Sequence, residues 1–287
     1  MMIPFFAELC AGTAALSLRL QGGRNARPPV SRMGNKQGYG EAIFRILGLR
    51  SGSGAARYLW CEPDPGCRLL LLSFTDEELR SKAAEIIRGW KDEDPRALWE
   101  RLRAEGPVKA PEPREAARWL AVGQLSYRQM QPESGFNPGM ANDAASPCWR
   151  LDLPGVADVL STFPTLPATV TDDARPLQPA RLPPGSVAYI DPPDVGTTGY
   201  GHDLTREEVC TLAERWASAG ALVVISEAEP LAELSGWHQV EITGERKGGW
   251  GSQKRTFSKQ QREYLTMSSP PKWRPSQQHT LFSMAAK

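Results

Sequence analysis

The chain has 287 residues, 40% hydrophobic and 23% charged, with 34 Lys and Arg against 33 Asp and Glu. That composition suits a globular protein with one large core, or one core plus a smaller inserted unit. The near-zero net charge excludes a histone-like positive blanket but leaves room for a local basic patch.

In chain order, Ile3 to Leu9 reads as a buried strand, and Ala14 to Leu20 as a helix with Leu16 and Leu20 on one face. The Gly/Pro/Arg-rich loop GGRNARPP leads into VSRMGNKQGYGEAIFRILGL, whose second half is helical. ARYLWCEPD, residues 56–64, is a second strand ending in acids. Thr75 to Glu105 is charged and helical, and helix resumes at Pro113. A polar, turn-rich loop follows in 128–147. Six prolines between 162 and 184 predict an irregular connector. SVAYIDPP is a third strand, LTREEVCTLAERWASAG a helix, and ALVVIS a fourth strand. Strands alternating with helices predict an α/β protein with a largely parallel sheet. From Ser268 the composition shifts to Ser, Pro and Gln, which predicts a flexible tail over 268–287.

Other classes are excluded by what is missing. No run approaches the ~18–20 apolar residues of a membrane span, so no membrane is expected as a partner. The first residues, MMIPFFAELCAG, lack the basic start of a signal peptide. The five cysteines are odd in number and only Cys61 and Cys67 lie close together, which fits a reduced cytoplasm better than a disulfide framework. His202, His238 and His279 show no ligand spacing, so no metal site is expected.

Three segments carry candidate chemistry. Glu8-Leu-Cys-Ala-Gly12 runs from a strand into a Gly turn and a helix. At the carboxyl edge of an α/β sheet, such a turn is where a nucleotide-like ligand meets the backbone; the alternative is an ordinary strand–helix corner. Glu62 and Asp64 end the second strand, and a carboxylate there can accept both hydroxyls of a ribose. Glu62 comes first after the apolar run and is preferred. The third segment, AYIDPPD over 188–194, is the most specific. Two prolines fix φ and lack N–H groups, so Asp191 and the Pro192 carbonyl form a rigid acceptor pair. Such a pair suits an exocyclic amine with its two N–H donors.

Taken together, FAELCAGTAALSL, SRMGNKQGYGEAI, YLWCEPD, AARWLAVGQLSY with SGFNPG, YIDPPD with GYGHDLTREE, and VVISEAEPL resemble the DNA adenine methylase family. The resemblance covers most of residues 3–267 in pattern, and only the Asp-Pro-Pro element is specific. It implies a Rossmann-like S-adenosylmethionine methyltransferase sheet flanked by helices, with a mainly helical inserted recognition domain. The catalytic domain would then comprise 1–74 and 148–267, the inserted target-recognition region 75–147, and the tail 268–287. It further implies that S-adenosylmethionine is bound by Glu8, Cys10, Gly12, Asn35, Lys36 and Glu62, with Asp191 beside it. Asp191, Pro192 and Pro193 match the catalytic motif. The chain departs from the family twice. The lysine segment follows the glycine-rich turn instead of preceding it, and Asp194 stands where the family has an aromatic that stacks on the flipped base. Tyr200 is the nearest aromatic that can replace it.

DNA is the expected partner. Residues 245–262 carry six basic residues against one acid, interleaved with Trp250 and Phe257, in a Gly-rich stretch that suits a hairpin better than a helix. Lys254 and Arg255 are expected on phosphates, and a solvated loop is the alternative. Arg114, Arg118, Arg128 and Asn137 are expected to face DNA from the helical region. Gln278, Leu281 and Phe282 resemble the short peptide that docks on bacterial sliding clamps. Two further functions keep the fold: an amine methyltransferase acting on cytosine N4, RNA or a glutamine amide, and an inactive DNA-binding protein.

Overall fold

The computed structural model describes residues 2–30, 36–126, 135–137, 152–193, 204–244 and 261–272. Seven strands form one mixed sheet in the order β3-β2-β1-β4-β5-β7-β6. β1 (Phe6–Glu8) lies between β2 (Tyr58–Cys61) and β4 (Val187–Ile190), parallel to both. β3 (Ala168–Thr171) pairs parallel with β2, and β5 (Leu222–Glu227) parallel with β4. β6 (His238–Gly244) and β7 (Gln261–Met267) form an antiparallel pair, with β7 antiparallel to β5. The chain is therefore α/β, and its helix-flanked sheet is compatible with a Rossmann-like fold.

Alternation along the central strands divides the core into two faces. Phe6, Tyr58, Trp60, Val187, Tyr189, Val224, Leu265 and Met267 lie in one apolar cluster. That cluster takes in α1 (Ala15–Gly22), α2 (Gly40–Leu47), α3 (Pro65–Ser73), α4 (Glu77–Gly89), α5 (Pro95–Ala104), α6 (Pro113–Leu125) and α7 (Leu153–Thr162). The segment 75–147, expected as a helical insert, supplies α4 to α6 between β2 and β3. Ala7, Leu9, Cys61, Ala188, Ile190, Val223 and Ile225 face the other way, against α8 (Arg206–Ser218). Covered on both faces, β4 and β5 read as unbroken apolar runs, which is why they were predicted.

The helix starts follow local chemistry. Asp64, Asp76, Asp94 and Asp152 each accept a backbone N–H three residues on, at the first turns of α3, α4, α5 and α7. Thr205 and Glu208 form a reciprocal capping box at α8. Pro113 occupies the start of α6, where its missing N–H is harmless.

The 162–184 connector is not wholly irregular: it contains β3, which carries the edge of the sheet. A four-residue edge strand of Ala, Thr, Val and Thr is largely solvated and has no apolar run to mark it. Part of the expected tail, 268–272, is bonded to the rest of the fold. Ser268 N–H donates to the Val223 carbonyl at 3.0 Å, and Lys272 N–H donates to the Ile46 carbonyl at 2.8 Å. These bonds tie 268–272 to β5 and α2.

One close approach fixes the α3–α6 contact. A Cβ built on Gly66 would sit 1.4 Å from Trp119 Nε1. Gly66→Ala must displace a half-buried indole and should lower stability by about 2 kcal/mol in denaturant unfolding. Adding Trp119→Leu should recover part of that loss. A Gly66→Ala protein as stable as wild type would contradict this packing.

Candidate functional site

Chain order reverses between β1 and β4, the position at which open α/β sheets present a crevice at their carboxyl edge. The turn after β1 is stitched to both neighbours. Leu9 N–H donates to the Tyr189 carbonyl at 2.9 Å, and Ala11 N–H to the Cys61 carbonyl at 2.9 Å. Gly12 and Ala14 both take the left-handed conformation, with φ of 53° and 51°. For Ala14 that conformation is strained. Nothing lies within 4 Å of where a Gly12 Cβ would stand, so the backbone there is open to a ligand.

Ala14 is the N-cap of α1 and has no side-chain acceptor to offer. Glu8 supplies it: Oε1 accepts the Ser17 N–H at 2.7 Å. Ser17 Oγ in turn accepts from Trp60 Nε1 at 2.8 Å. Glu8 is 4% exposed. Burial pushes its carboxyl up to about 7, opposed by the Ser17 hydrogen bonds and reinforced by the Asp191 charge.

Glu62 and Asp64 make different contacts. Asp64 caps α3 by accepting the Cys67 N–H at 2.8 Å. Glu62 turns to the glycine turn, where Oε2 accepts the Gly12 N–H at 2.7 Å. Its Oε1 accepts the Asp64 N–H at 3.0 Å. Cys10 lies between Glu62 and Asp191; burial first, then both charges, push its thiol up, so it is neutral.

Asp191 leaves the end of β4 on the α1 side of the sheet. Lys36, from a 3-10 turn at Lys36–Gly38, places Nζ 3.1 Å from Asp191 Oδ1 and 3.0 Å from Glu263 Oε1. Burial disfavours the ammonium, but the two carboxylates outweigh it and hold its pKa above the ordinary lysine value. Ser226 Oγ donates to Glu263 Oε1 at 2.6 Å. The Tyr189 hydroxyl lies beside Ser226 without reaching hydrogen-bond geometry.

The structure thus gathers Glu8, Cys10, Gly12, Lys36, Glu62 and Asp191 on one edge, with Pro192 and Pro193 continuing from Asp191. The lysine segment reaches the site although it follows the glycine turn in the chain. Ser17, Trp60, Ser226 and Glu263 were not anticipated. Glu263 had one signal: it interrupts an apolar alternation with Leu265 and Met267. Asn35, Asp194, Tyr200, Arg128, Lys254, Arg255, Gln278, Leu281 and Phe282 lie outside the described residues.

Arg118 does not face DNA. It is 1% exposed, ion-paired with Glu115, and donates to the Leu102 carbonyl at 3.0 Å and the Pro107 carbonyl at 3.3 Å. Its guanidinium ties α6 to the end of α5. Arg114 pairs with Glu105 at 2.7 Å and lies over the Trp90 ring at 5.3 Å. Asn137 N–H closes the end of α6 on the Leu125 carbonyl at 2.8 Å. Among the described residues no three His, Cys, Asp or Glu side chains are grouped to hold a metal, and no helix is long and apolar enough to cross a membrane.

No protein-family model matches the chain, and no curated protein matches it.

Glu8 makes the site testable through stability alone. Between its ordinary value of 4.5 and the folded value of about 7, the folded chain keeps a proton that the unfolded chain has released. Stability from this group is therefore full below 4.5, declines as pH rises to about 7, and is absent above. The loss is on the order of 3 kcal/mol. Glu8→Gln keeps an acceptor for Ser17 and should remove that decline, making the variant more stable than wild type at pH 8. A difference between the two proteins that does not change from pH 4 to pH 8 would contradict the assignment.

Proposed function

We propose that this chain is a DNA methyltransferase that moves a methyl group from S-adenosylmethionine to the exocyclic amine of adenine. The observation that carries it is the convergence of Gly12, Lys36, Glu62 and Asp191 from four chain segments at the switch point of the sheet.

The residues suit the cofactor. Gly12 leaves open backbone, and the Glu62 carboxylate beside it suits a ribose diol. Among the described residues, Glu62, Asp191 and Glu263 set three carboxylates against the Lys36 ammonium, a balance that favours a sulfonium cation. Thr13 Oγ1 is buried with no hydrogen-bond partner among the described residues, as expected where a polar ligand supplies one. When bound, S-adenosylmethionine supplies an electrophilic methyl whose C–S bond breaks with its electron pair staying on sulfur.

The chain's own residues handle the amine. A paired adenine must first leave the duplex, at about a few kcal/mol. Asp191 and the Pro192 carbonyl accept the two amine hydrogens. That draws the nitrogen lone pair out of the ring and aims it at the methyl carbon. As the N–C bond forms, the amine releases one proton toward Asp191. Lys36 contacts one Asp191 oxygen, and a carboxylate has about four acceptor sites, so both contacts are compatible. The two prolines keep the acceptors from swinging. Most of the rate then comes from positioning. Arg128, Lys254 and Arg255 are the proposed phosphate contacts, with 75–147 as the recognition region. The Gln278, Leu281 and Phe282 peptide is a proposed clamp contact.

A second function is favoured by Asp194. An aspartate cannot stack on a flipped base, so either Tyr200 covers it or the acceptor is another amine: cytosine N4, RNA or a glutamine amide. A fold that binds DNA without turnover would share the same departure.

Asp191→Asn presents donors where the amine also donates. It should lower the single-turnover rate by ~10² to 10³ while leaving S-adenosylmethionine affinity within a few-fold. Glu62→Ala should weaken cofactor binding by about 1.5–3 kcal/mol in calorimetry without changing DNA affinity. An Asp191→Asn enzyme with the wild-type single-turnover rate would overturn the proposal.

A further inference from the structure

Among the described residues at the edge, Glu263 is a buried carboxylate that the motif pattern does not use. It lies on β7, the strand that runs against its neighbours, and is 3% exposed. Leu265 and Met267 on the same face belong to the apolar cluster, so alternation calls for an apolar side chain at 263. A carboxylate buried there is retained only if it is paired. Its partners are Ser226 Oγ on β5 at 2.6 Å and Lys36 Nζ at 3.0 Å.

The same ammonium lies 3.1 Å from Asp191. Three adjacent strands therefore locate one cation: β4 through Asp191, β5 through the Ser226 hydroxyl, and β7 through Glu263. Alone with Lys36, Asp191 would form a closed one-to-one ion pair and lose acceptor strength toward an amine. A second carboxylate competing for the ammonium leaves more negative charge on Asp191. It also fixes where Nζ stands, and so where Asp191 points.

We propose that Glu263 is a positioning residue that sets the orientation and acceptor strength of Asp191 through Lys36. The role in turnover rests on the methyltransferase function above; the coupling itself does not. Among the described residues, the other titratable groups round Asp191 include Glu8 and Cys10 at the end of β1, Glu62 just after β2 beyond Cys10, and Tyr189 beneath it on β4. Among the described residues Lys36 forms ion pairs with Asp191 and Glu263, so Glu263 is the group whose charge Lys36 transmits.

Glu263→Gln keeps the volume and an acceptor for Ser226 while removing the charge. In the full-length chain without ligand, the Asp191 carboxyl can be followed by carbon-13 NMR. Glu263→Gln should lower its titration midpoint, because the ammonium turns wholly to Asp191. Lys36→Met should raise it, because two carboxylates are left facing each other. The double variant should return toward wild type. With S-adenosylmethionine and DNA, Glu263→Gln should slow single-turnover transfer on the order of 10- to 100-fold. Cofactor affinity should hold, and the acid limb of the rate profile should move to lower pH. Glu263→Asp, which restores the charge one carbon shorter, should recover part of the rate and serves if the Gln variant does not fold. An unmoved Asp191 midpoint in a folded Glu263→Gln variant, or a double variant that stays at the Lys36→Met midpoint, overturns the proposal. A moved midpoint in a chain that transfers no methyl group supports the Lys36 coupling and overturns the function on which its catalytic role rests.

Discussion

The hydrogen bond from Ser17 N–H to the Glu8 carboxylate, 2.7 Å long, holds the turn on which the site is built. Helix α1 begins at a left-handed alanine that cannot cap it. A carboxylate arriving from the end of β1 does so instead, and to reach the helix end it must be buried. Burial disfavours its charged form, which is why the group titrates near neutrality. What is gained is position. With the helix start fixed, Gly12 presents its N–H to Glu62, and β1, β2 and the turn become one rigid corner.

The carboxyl edge is also where charge concentrates in an otherwise balanced chain. Among the described residues, Lys36 is the ammonium that pairs with the carboxylates of Asp191 and Glu263. Two ion pairs on one cation keep it charged and immobile. Fold alone does not assign chemistry; α/β sheets with an edge crevice serve many reactions. The proposed function rests on the site, because a rigid Asp-Pro-Pro acceptor at a strand end suits an amine with two hydrogens to give.

Elements buried on both faces were legible in the sequence. β4 and β5 are continuous apolar runs, and α6 and α8 carry their own start signals in Pro113 and the Thr205–Glu208 pair. Elements at the sheet margins were not. β3 is half-solvated Ala-Thr-Val-Thr inside a proline-rich stretch, and β7 emerges from a basic segment whose charge hides its alternation. At the site, residue types were legible but partners were not. Glu62 was preferred over Asp64 from chain order; in the structure Asp64 caps α3 and Glu62 turns to Gly12. Arg118 shows the opposite failure. A basic residue on a helix reads as surface; its partner Glu115 lies three residues before it on the same helix, but only the tertiary fold reveals the two carbonyls it donates to. Lys36 and Glu263 are 227 positions apart, a pairing that no local pattern encodes.

The central claim is transfer of a methyl group to an amine at this edge. The most direct measurement incubates the full chain with methyl-labelled S-adenosylmethionine and a DNA pool of mixed sequence, single- and double-stranded. Base-resolved sequencing then locates the label. The account predicts label on the exocyclic nitrogen of adenine within a preferred sequence, lost in Asp191→Asn. Label on cytosine N4 would move the function to the second acceptor class. DNA and cofactor both bound, with no methyl transferred to any base, would contradict the account.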